Sequence, residues 1–160
     1  QRAEAWPRPQ EAEVGPRGEK EMSAPEETLI VVKPDGVRRG LVGEIIGRFE
    51  RKGFVVRKLS MQTMSKQQAE EFYSVHKDKP FYAELVQFIT SGPVVGAVLS
   101  GRDAVATVRR MVGATKSWEA AAGTIRGDFG LGLTDNTIHA SDSAENFTKE
   151  SGVFFGKARG

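Results

Sequence analysis

A regular pattern of apolar and polar positions begins at Thr28. Beyond it, short apolar runs that indicate buried strands alternate with stretches in which apolar residues recur every three or four positions, as in amphipathic helices. The predicted strands cover 28–32, 54–63, 94–99 and 137–140. The predicted helices cover 41–52, 65–76, 80–88, 103–112 and 143–152.

The order of these elements predicts the fold class. Strand, helix, strand, two helices, strand, helix, strand and helix indicate an α+β fold, a ferredoxin-like split β-α-β sandwich. We expect helices on one face of a four-stranded, mostly antiparallel sheet. Two segments are predicted to be irregular, the loop at 33–36 and the long region 114–135. An irregular region as long as the second one is often functional.

The first 27 residues differ in composition from the rest of the chain. They contain four of the seven prolines and show no sustained periodicity, which predicts a disordered tail. The expected organisation is therefore a tail at 1–27, one folded domain at 28–156 and a short C-terminal tail at 157–160. One domain suits a length of 160 residues.

Charge and composition narrow the classes of function. Residues 1–27 hold four basic against seven acidic side chains, whereas residues 28–160 hold 19 against 14, a net charge of +5. Such an excess suits a polyanionic ligand, a nucleotide or a nucleic acid, although ordinary solvated surfaces have the same composition. The chain contains no cysteine, which excludes disulfides, iron–sulfur clusters and thiolate zinc sites. No apolar run approaches the roughly 18 residues of a membrane span, so we expect no membrane partner.

The segment 136–142 carries the most distinctive candidate chemistry. His139 lies there, Ser141 follows two positions later, and Glu150 is on the next predicted helix. An imidazole within reach of a hydroxyl and a carboxylate can serve as a nucleophile or a proton carrier. From these residues alone, proton transfer, metal binding and simple burial stay open. The other histidine, His76, has no such neighbours and is interpreted as a partly exposed structural residue that does not carry phosphate.

Five motifs stand out beyond the first 27 residues: KPDGV at 33–37, GLVGEII at 40–46, SGP at 91–93, GTIRGDF at 123–129 and NTIHASD at 136–142. Their order and spacing are typical of nucleoside diphosphate kinases. The chain resembles this family over 28–155, which is 128 of its 160 residues.

The resemblance implies a ping-pong phosphotransferase with broad base specificity. His139 would take the γ-phosphoryl group of a nucleoside triphosphate, typically ATP, and pass it to a nucleoside diphosphate. Glu150 would orient the imidazole, and Ser141 would link the two. The residues implied to contact phosphates are Lys33, Tyr73, Arg109, Thr115 and Arg126. Those implied to hold the nucleoside are Phe81 stacked on the base, Leu85 and Leu133 as apolar walls, and Asn136 at the ribose.

The resemblance also implies a cofactor, a location and an assembly. Mg²⁺ would be carried by the nucleotide phosphates, with no dedicated protein metal site. The protein would be a cytoplasmic homo-oligomer, a hexamer or tetramer, that requires no nucleic acid. The chain departs from common family residues at Ala140 and in a loop that shapes subunit contacts, at Lys116-Ser117-Trp118 and Ala122.

Two other functions stay open at this point. One is a catalytically impaired nucleotide-binding or regulatory protein with the same fold. The other is a nucleic-acid-binding domain that uses the net charge of +5 on a split β-α-β sheet. The predicted central strands, however, lack the paired aromatic residues of an RNA-recognition sheet.

Overall fold

A computed structural model describes residues 25–156 of the chain. The strands are β1 (Glu26–Val32), β2 (Val55–Gln62), β3 (Val94–Gly101) and β4 (Ile138–Ala140). The helices are α1 (Pro34–Arg38), α2 (Val42–Lys52), α3 (Lys66–Phe72), α4 (Tyr82–Ile89), α5 (Ala104–Val112), α6 (Ile125–Phe129) and α7 (Ala144–Phe155). Short 3₁₀ turns cover Ser74–His76 and Ser117–Glu119. Residues 1–24 of the tail predicted at 1–27, and the whole C-terminal tail at 157–160, lie outside the described residues, and for these the tails stay predictions.

The four strands form one sheet in the order β2-β3-β1-β4, and every neighbouring pair is antiparallel. This confirms the predicted four-stranded α+β sandwich. Val31 of β1 pairs with Gly96 on one side and with His139 on the other. Gly96, Val31 and His139 therefore lie side by side in one row across three strands.

Helices cover both faces of the sheet, so the prediction of helices on one face was wrong. Ile30 and Val32 pack with residues of α2 and α5, whereas Leu29 and Val31 pack with residues of α3, α4 and α7. All four side chains are fully buried. The reason is visible in the sequence, because an unbroken apolar run without alternation is typical of a strand that is buried on both faces.

Several element boundaries differ from the predicted ones for local reasons. The first strand begins at Glu26, two residues earlier than predicted, and the predicted loop at 33–36 forms part of α1. Pro34 occupies the first turn of that helix, where its missing N–H costs nothing. The long irregular region contains α6, whose first turn is capped by Thr124, since its hydroxyl accepts the Gly127 N–H at 3.0 Å.

Other local signals were confirmed. Ser65 and Gln68 form a reciprocal capping box at the start of α3. Gly53 ends α2 in the left-handed conformation, with φ of 112°. Among residues 25–156, no helix is both long enough and apolar enough to cross a bilayer.

Close packing of α7 against the sheet depends on a glycine in β3. A Cβ placed on Gly96 would lie 2.2 Å from Cε1 of Phe154, which is 3% exposed. Gly96 therefore leaves the space into which the Phe154 ring inserts. This contact extends α7 past the predicted end at 152, because burial of an aromatic ring stabilises the last turn.

Candidate active site

A cleft of about 640 Å³ collects the candidate residues at one side of the protein. Eleven of the twelve residues implied by the resemblance line it: Lys33, Tyr73, Phe81, Leu85, Arg109, Thr115, Arg126, Leu133, Asn136, His139 and Glu150. The twelfth, Ser141, is fully buried and contacts Glu150. Segments more than 100 positions apart in the sequence therefore meet at a single site.

The imidazole of His139 is held by a carboxylate and by two aromatic rings. Its Nε2 lies 3.0 Å and 3.1 Å from the two carboxylate oxygens of Glu150. Ser141 Oγ donates to Oε2 of the same carboxylate at 2.6 Å. The rings of Phe72 and Tyr73 meet the imidazole edge to face, at centroid distances of 4.8 Å and 6.1 Å. This arrangement assigns the Nε2 proton to the side of Glu150 and leaves the Nδ1 lone pair available.

Arg126 brings a buried guanidinium to the cleft. It donates from Nη2 to the carbonyl oxygen of Ile138 at 2.7 Å and from Nη1 to that of Gly113 at 3.2 Å. Its Nε has no hydrogen-bond partner within the described part of the chain. Burial, together with the neighbouring charge of Arg109, lowers the pKa of Arg126 to about 10. The group stays charged at neutral pH and keeps unused donors for an anion.

Lys33 places a second buried cation at the end of β1. Its ammonium donates to the carbonyl oxygen of Thr134 at 2.5 Å and to Oδ1 of Asn136 at 3.0 Å. Burial lowers the pKa of Lys33 to about 8, against the opposing influence of Asp35. Asn136 donates in turn to the carbonyl oxygen of Thr115 at 3.0 Å. The amide of Asn136 is thus fixed between the two segments that supply Lys33 and Thr115.

A row of aromatic rings connects the mouth of the cleft with His139. The centroids of Phe81 and His76 are 5.7 Å apart, those of His76 and Tyr73 are 6.4 Å apart, and Tyr73 is next to His139. Phe81 is 41% exposed on the cleft wall, so its ring is available for stacking with a planar ligand. Tyr73 is buried, and burial together with the charge of Glu150 raises the pKa of its hydroxyl, which therefore remains a donor.

Sequence reasoning did not assign several residues that line the cleft. His76, interpreted as structural, is half-buried and part of the wall. The other unassigned residues are Val75, Glu84, Lys116, Thr134, Asp135, Ile138, Ala140, Asp142 and Asn146. Most are next to an assigned residue in the sequence, and this adjacency was the available signal. His76 had no such signal, because neither of its sequence neighbours, Val75 and Lys77, is an assigned residue.

The comparison with protein families decides the classification. The family model described as nucleoside diphosphate kinase matches residues 26–159 of this chain. The chain belongs to the nucleoside diphosphate kinase family. This finding confirms the predicted family and the predicted class, a nucleotide-binding phosphotransferase.

Individual nucleoside diphosphate kinases are similar over most of their length. The enzyme of Staphylothermus marinus is 53% identical over 130 residues, which is 81% of this chain and 92% of that enzyme. The enzyme of Exiguobacterium sibiricum is 52% identical over 130 residues, 81% of this chain and 94% of that enzyme.

Solved structures of nucleoside diphosphate kinases agree with the fold. The Aquifex aeolicus enzyme superposes with a TM-score of 0.81 at 47% identity, over 82% of this chain and 96% of that one. The Halobacterium salinarum enzyme, solved in complex with CDP, gives a TM-score of 0.80 at 45% identity, over 83% of this chain and 89% of that one.

Proposed function

We propose that this protein transfers the γ-phosphoryl group of a nucleoside triphosphate, typically ATP, to a nucleoside diphosphate through a phosphohistidine at His139. The observation that carries the proposal is the contact of His139 Nε2 with Glu150 at 3.0 Å, on the wall of a cleft that is lined by four cationic side chains. With Nε2 engaged by the carboxylate, Nδ1 is the nitrogen with a lone pair for attack on phosphorus.

The transfer has two half-reactions. In the first, the Nδ1 lone pair forms a bond to the γ-phosphorus while the bond from that phosphorus to the bridging oxygen breaks, and the diphosphate leaves with the electron pair. The imidazole gains positive charge, which Glu150 stabilises through its contact with Nε2. In the second, a β-phosphate oxygen of another diphosphate forms a bond to the phosphorus while the bond from phosphorus to Nδ1 breaks, and the electron pair returns to Nδ1 and restores the neutral ring. Because one cleft serves both nucleotides, the first product leaves before the second substrate binds.

The cleft suits the charge distribution of a nucleotide. Phosphoryl transfer is accelerated mainly by positioning and by cancelling charge on the non-bridging oxygens. We assign this role to Lys33, Tyr73, Arg109, Thr115 and Arg126. Phe81, Leu85 and Leu133 offer apolar contact to the base without donors or acceptors for its edge, which supports broad base specificity. Asn136 is assigned to the ribose.

Mg²⁺ belongs to the substrate in this proposal. A triphosphate binds Mg²⁺ through its own oxygens, and the ion usually keeps water as its remaining ligands. Within residues 25–156, no group of three or more His, Cys, Asp or Glu side chains is placed to hold a metal. The cationic side chains at the cleft suit the phosphate oxygens of a magnesium nucleotide.

The test is to incubate the protein with γ-labelled ATP and Mg²⁺, isolate it, and chase with unlabelled GDP. We expect acid-labile label on the protein, release of that label as GTP on chase, and loss of labelling when EDTA removes Mg²⁺. Normal nucleotide affinity without labelling would instead support the impaired nucleotide-binding protein. Tight, salt-sensitive binding of nucleic acid without labelling would support the third function.

Nucleotide affinity is expected to decrease as the pH rises through about 8. The ammonium form of Lys33 attracts phosphate. Because the pKa of Lys33 is about 8, this form predominates below that pH and is lost as the pH rises above it. Well above the pKa, affinity should fall by up to about tenfold per pH unit. Equilibrium binding of ADP between pH 7 and 9.5 measures the effect. Lys33→Gln should bind weakly and without this dependence, and an equal dependence in that variant would contradict the assignment.

We also propose that copies of the chain associate through β2. This strand is at the edge of the sheet and exposes Val55 (51%), Leu59 (58%) and Met61 (61%). An exposed apolar edge strand readily pairs with another strand. Light scattering should give a multiple of the 17.5 kDa chain mass, and Leu59→Asp should lower it, whereas Lys66→Asp on α3 should not. A monomeric wild type would contradict the proposal. The number of subunits and the cytoplasmic location stay predictions.

A further inference from the structure

Thr137 has a backbone conformation that residues other than glycine rarely adopt, with φ of 69°. The N–H of Ile138 donates to the carbonyl oxygen of Asn136 at 2.9 Å. These three residues therefore form a γ-turn with a positive φ, which is the rare and strained form of this turn. The turn separates Asn136 from His139 on the cleft wall, so its shape sets how the amide and the imidazole are placed relative to each other.

Asp35 of α1 supplies the acceptor for the central residue of this turn. Its Oδ2 accepts the backbone N–H of Thr137 at 3.0 Å. The side chain is 9% exposed, and its Oδ1 has no hydrogen-bond partner among residues 25–156. Burial of a carboxylate with one idle oxygen is unfavourable. A charged acceptor, however, makes a stronger bond to an N–H than a neutral one does, which suits the task of holding a strained backbone.

Further contacts tie the same turn to the end of β1. The backbone N–H of Lys33 donates to the carbonyl oxygen of Thr137 at 2.8 Å. A Cβ on Gly36 would lie 3.0 Å from that carbonyl oxygen and 2.8 Å from a side-chain carbon of Val32, so the two segments are in close contact. Thr137 is fully buried, and its hydroxyl donates to the carbonyl oxygen of Asn136 at 2.6 Å. Segment 33–36 therefore holds the turn from several directions.

We propose that Asp35 is a positioning residue, whose carboxylate holds the strained turn at Thr137 and thereby fixes Asn136 and His139 on the cleft wall. Asp35 is not among the residues that line the cleft. It acts through the backbone of Thr137 and not through contact with the nucleotide. The kinetic part of this inference rests on the proposed phosphoryl transfer through His139.

The test compares full-length Asp35→Ala and Asp35→Asn in two backgrounds, wild type and Thr137→Gly. Single-turnover phosphorylation of His139 is measured as a function of the concentration of magnesium ATP. In the wild-type background, Asp35→Ala should lower the rate by about tenfold to a hundredfold, and Asp35→Asn by less, because its amide oxygen can still accept the N–H. In the Thr137→Gly background the loss should shrink to about threefold or less, because glycine adopts a positive φ without strain.

Glu26→Ala is the matched control. Glu26 Oε1 accepts the backbone N–H of Val105 at 2.8 Å, a bond of the same kind at the other end of β1. This variant should keep the wild-type rate of phosphorylation. A folded Asp35→Ala protein with the wild-type rate and ATP dependence would overturn the proposal, as would an equal loss in both backgrounds. If Asp35→Ala does not fold, Asp35→Asn carries the same comparison.

Hydrogen exchange gives a readout that does not depend on turnover. In both Asp35 variants, the amides of segment 134–141 should exchange faster than in the wild type, while exchange in β3 stays unchanged. Unchanged exchange at 134–141 would overturn the role of Asp35 regardless of the kinetics. Failure of the wild-type protein to become labelled would contradict the proposed function alone, so the two failures are distinguishable.

Discussion

Replacement of His139 by glutamine is expected to abolish the phosphoenzyme and to lower the rate of GTP formation from ATP and GDP by at least about 10⁴-fold. Glutamine retains a hydrogen-bonding group next to Glu150 but offers no nucleophilic nitrogen to phosphorus. The ring of His139 packs against Phe72 and Tyr73 without being fully enclosed, so the protein should still fold. Labelling with γ-labelled ATP and a coupled assay for GTP measure the two effects.

His76→Gln is the matched control for this prediction. His76 is the only other histidine of the chain and lies on the wall of the same cleft, but Glu150 contacts His139. The His76→Gln protein should still become labelled, although its turnover can change. Label on the His139→Gln protein would show that another side chain accepts the phosphoryl group and would contradict the assignment.

Replacement of Arg126 by methionine is expected to lower kcat/KM by about 10²-fold to 10³-fold. The guanidinium is 5% exposed, and its Nε is buried without a partner in the described part of the chain. Nη1 and Nη2 each donate to one carbonyl oxygen and keep a second N–H, which the phosphate oxygens of a nucleotide would accept. Steady-state kinetics with varied ATP measure the loss. Arg126→Lys should recover only part of it, because an ammonium cannot reproduce the planar set of donors.

The control for Arg126 must separate local charge from net charge. Arg110 on α5 is exposed and does not line the cleft, so Arg110→Met removes the same charge elsewhere. This protein should retain kcat/KM within about twofold, since exposed charges contribute little. Similar losses in both variants would indicate a general electrostatic effect and would contradict a specific role for Arg126. Thermal unfolding of each variant would reveal loss of the bonds from Arg126 to the Ile138 and Gly113 carbonyl oxygens.

Local sequence signals predicted most of the fold because they report local physics. The capping box at Ser65, the glycine stop at Gly53 and the apolar runs of β1 and β3 each act within a few residues. The arrangement of helices about the sheet was harder to predict, because it depends on which side chains of α3, α4 and α7 reach the second face. The unbroken run Leu29–Val32 contained that information, but the predicted layering did not use it.

The candidate site could not be assembled from periodicity alone. Lys33 and Asn136 are 103 positions apart and meet only in the folded chain. The resemblance supplied the set of residues that the cleft brings together, and it did so for all twelve once Ser141 is counted behind Glu150. Neither the hydrophobic pattern nor the resemblance indicated the contact between Asp35 and Thr137. The hydrophobic pattern does not depend on which backbone N–H a carboxylate accepts.

The space left by Gly96 affects the geometry of the contact between Glu150 and His139. Phe154 and Glu150 are one helical turn apart on α7, and they rest on two members of the same row across the sheet, Gly96 and His139. The depth to which the ring sinks into the sheet therefore fixes the height of the carboxylate above the imidazole. A Cβ on Gly96 would push α7 away from the sheet. It would thereby increase the distance between Glu150 and His139, which lies two strands away on β4. Gly96 thus sets the spacing between Glu150 and His139 through the packing of α7.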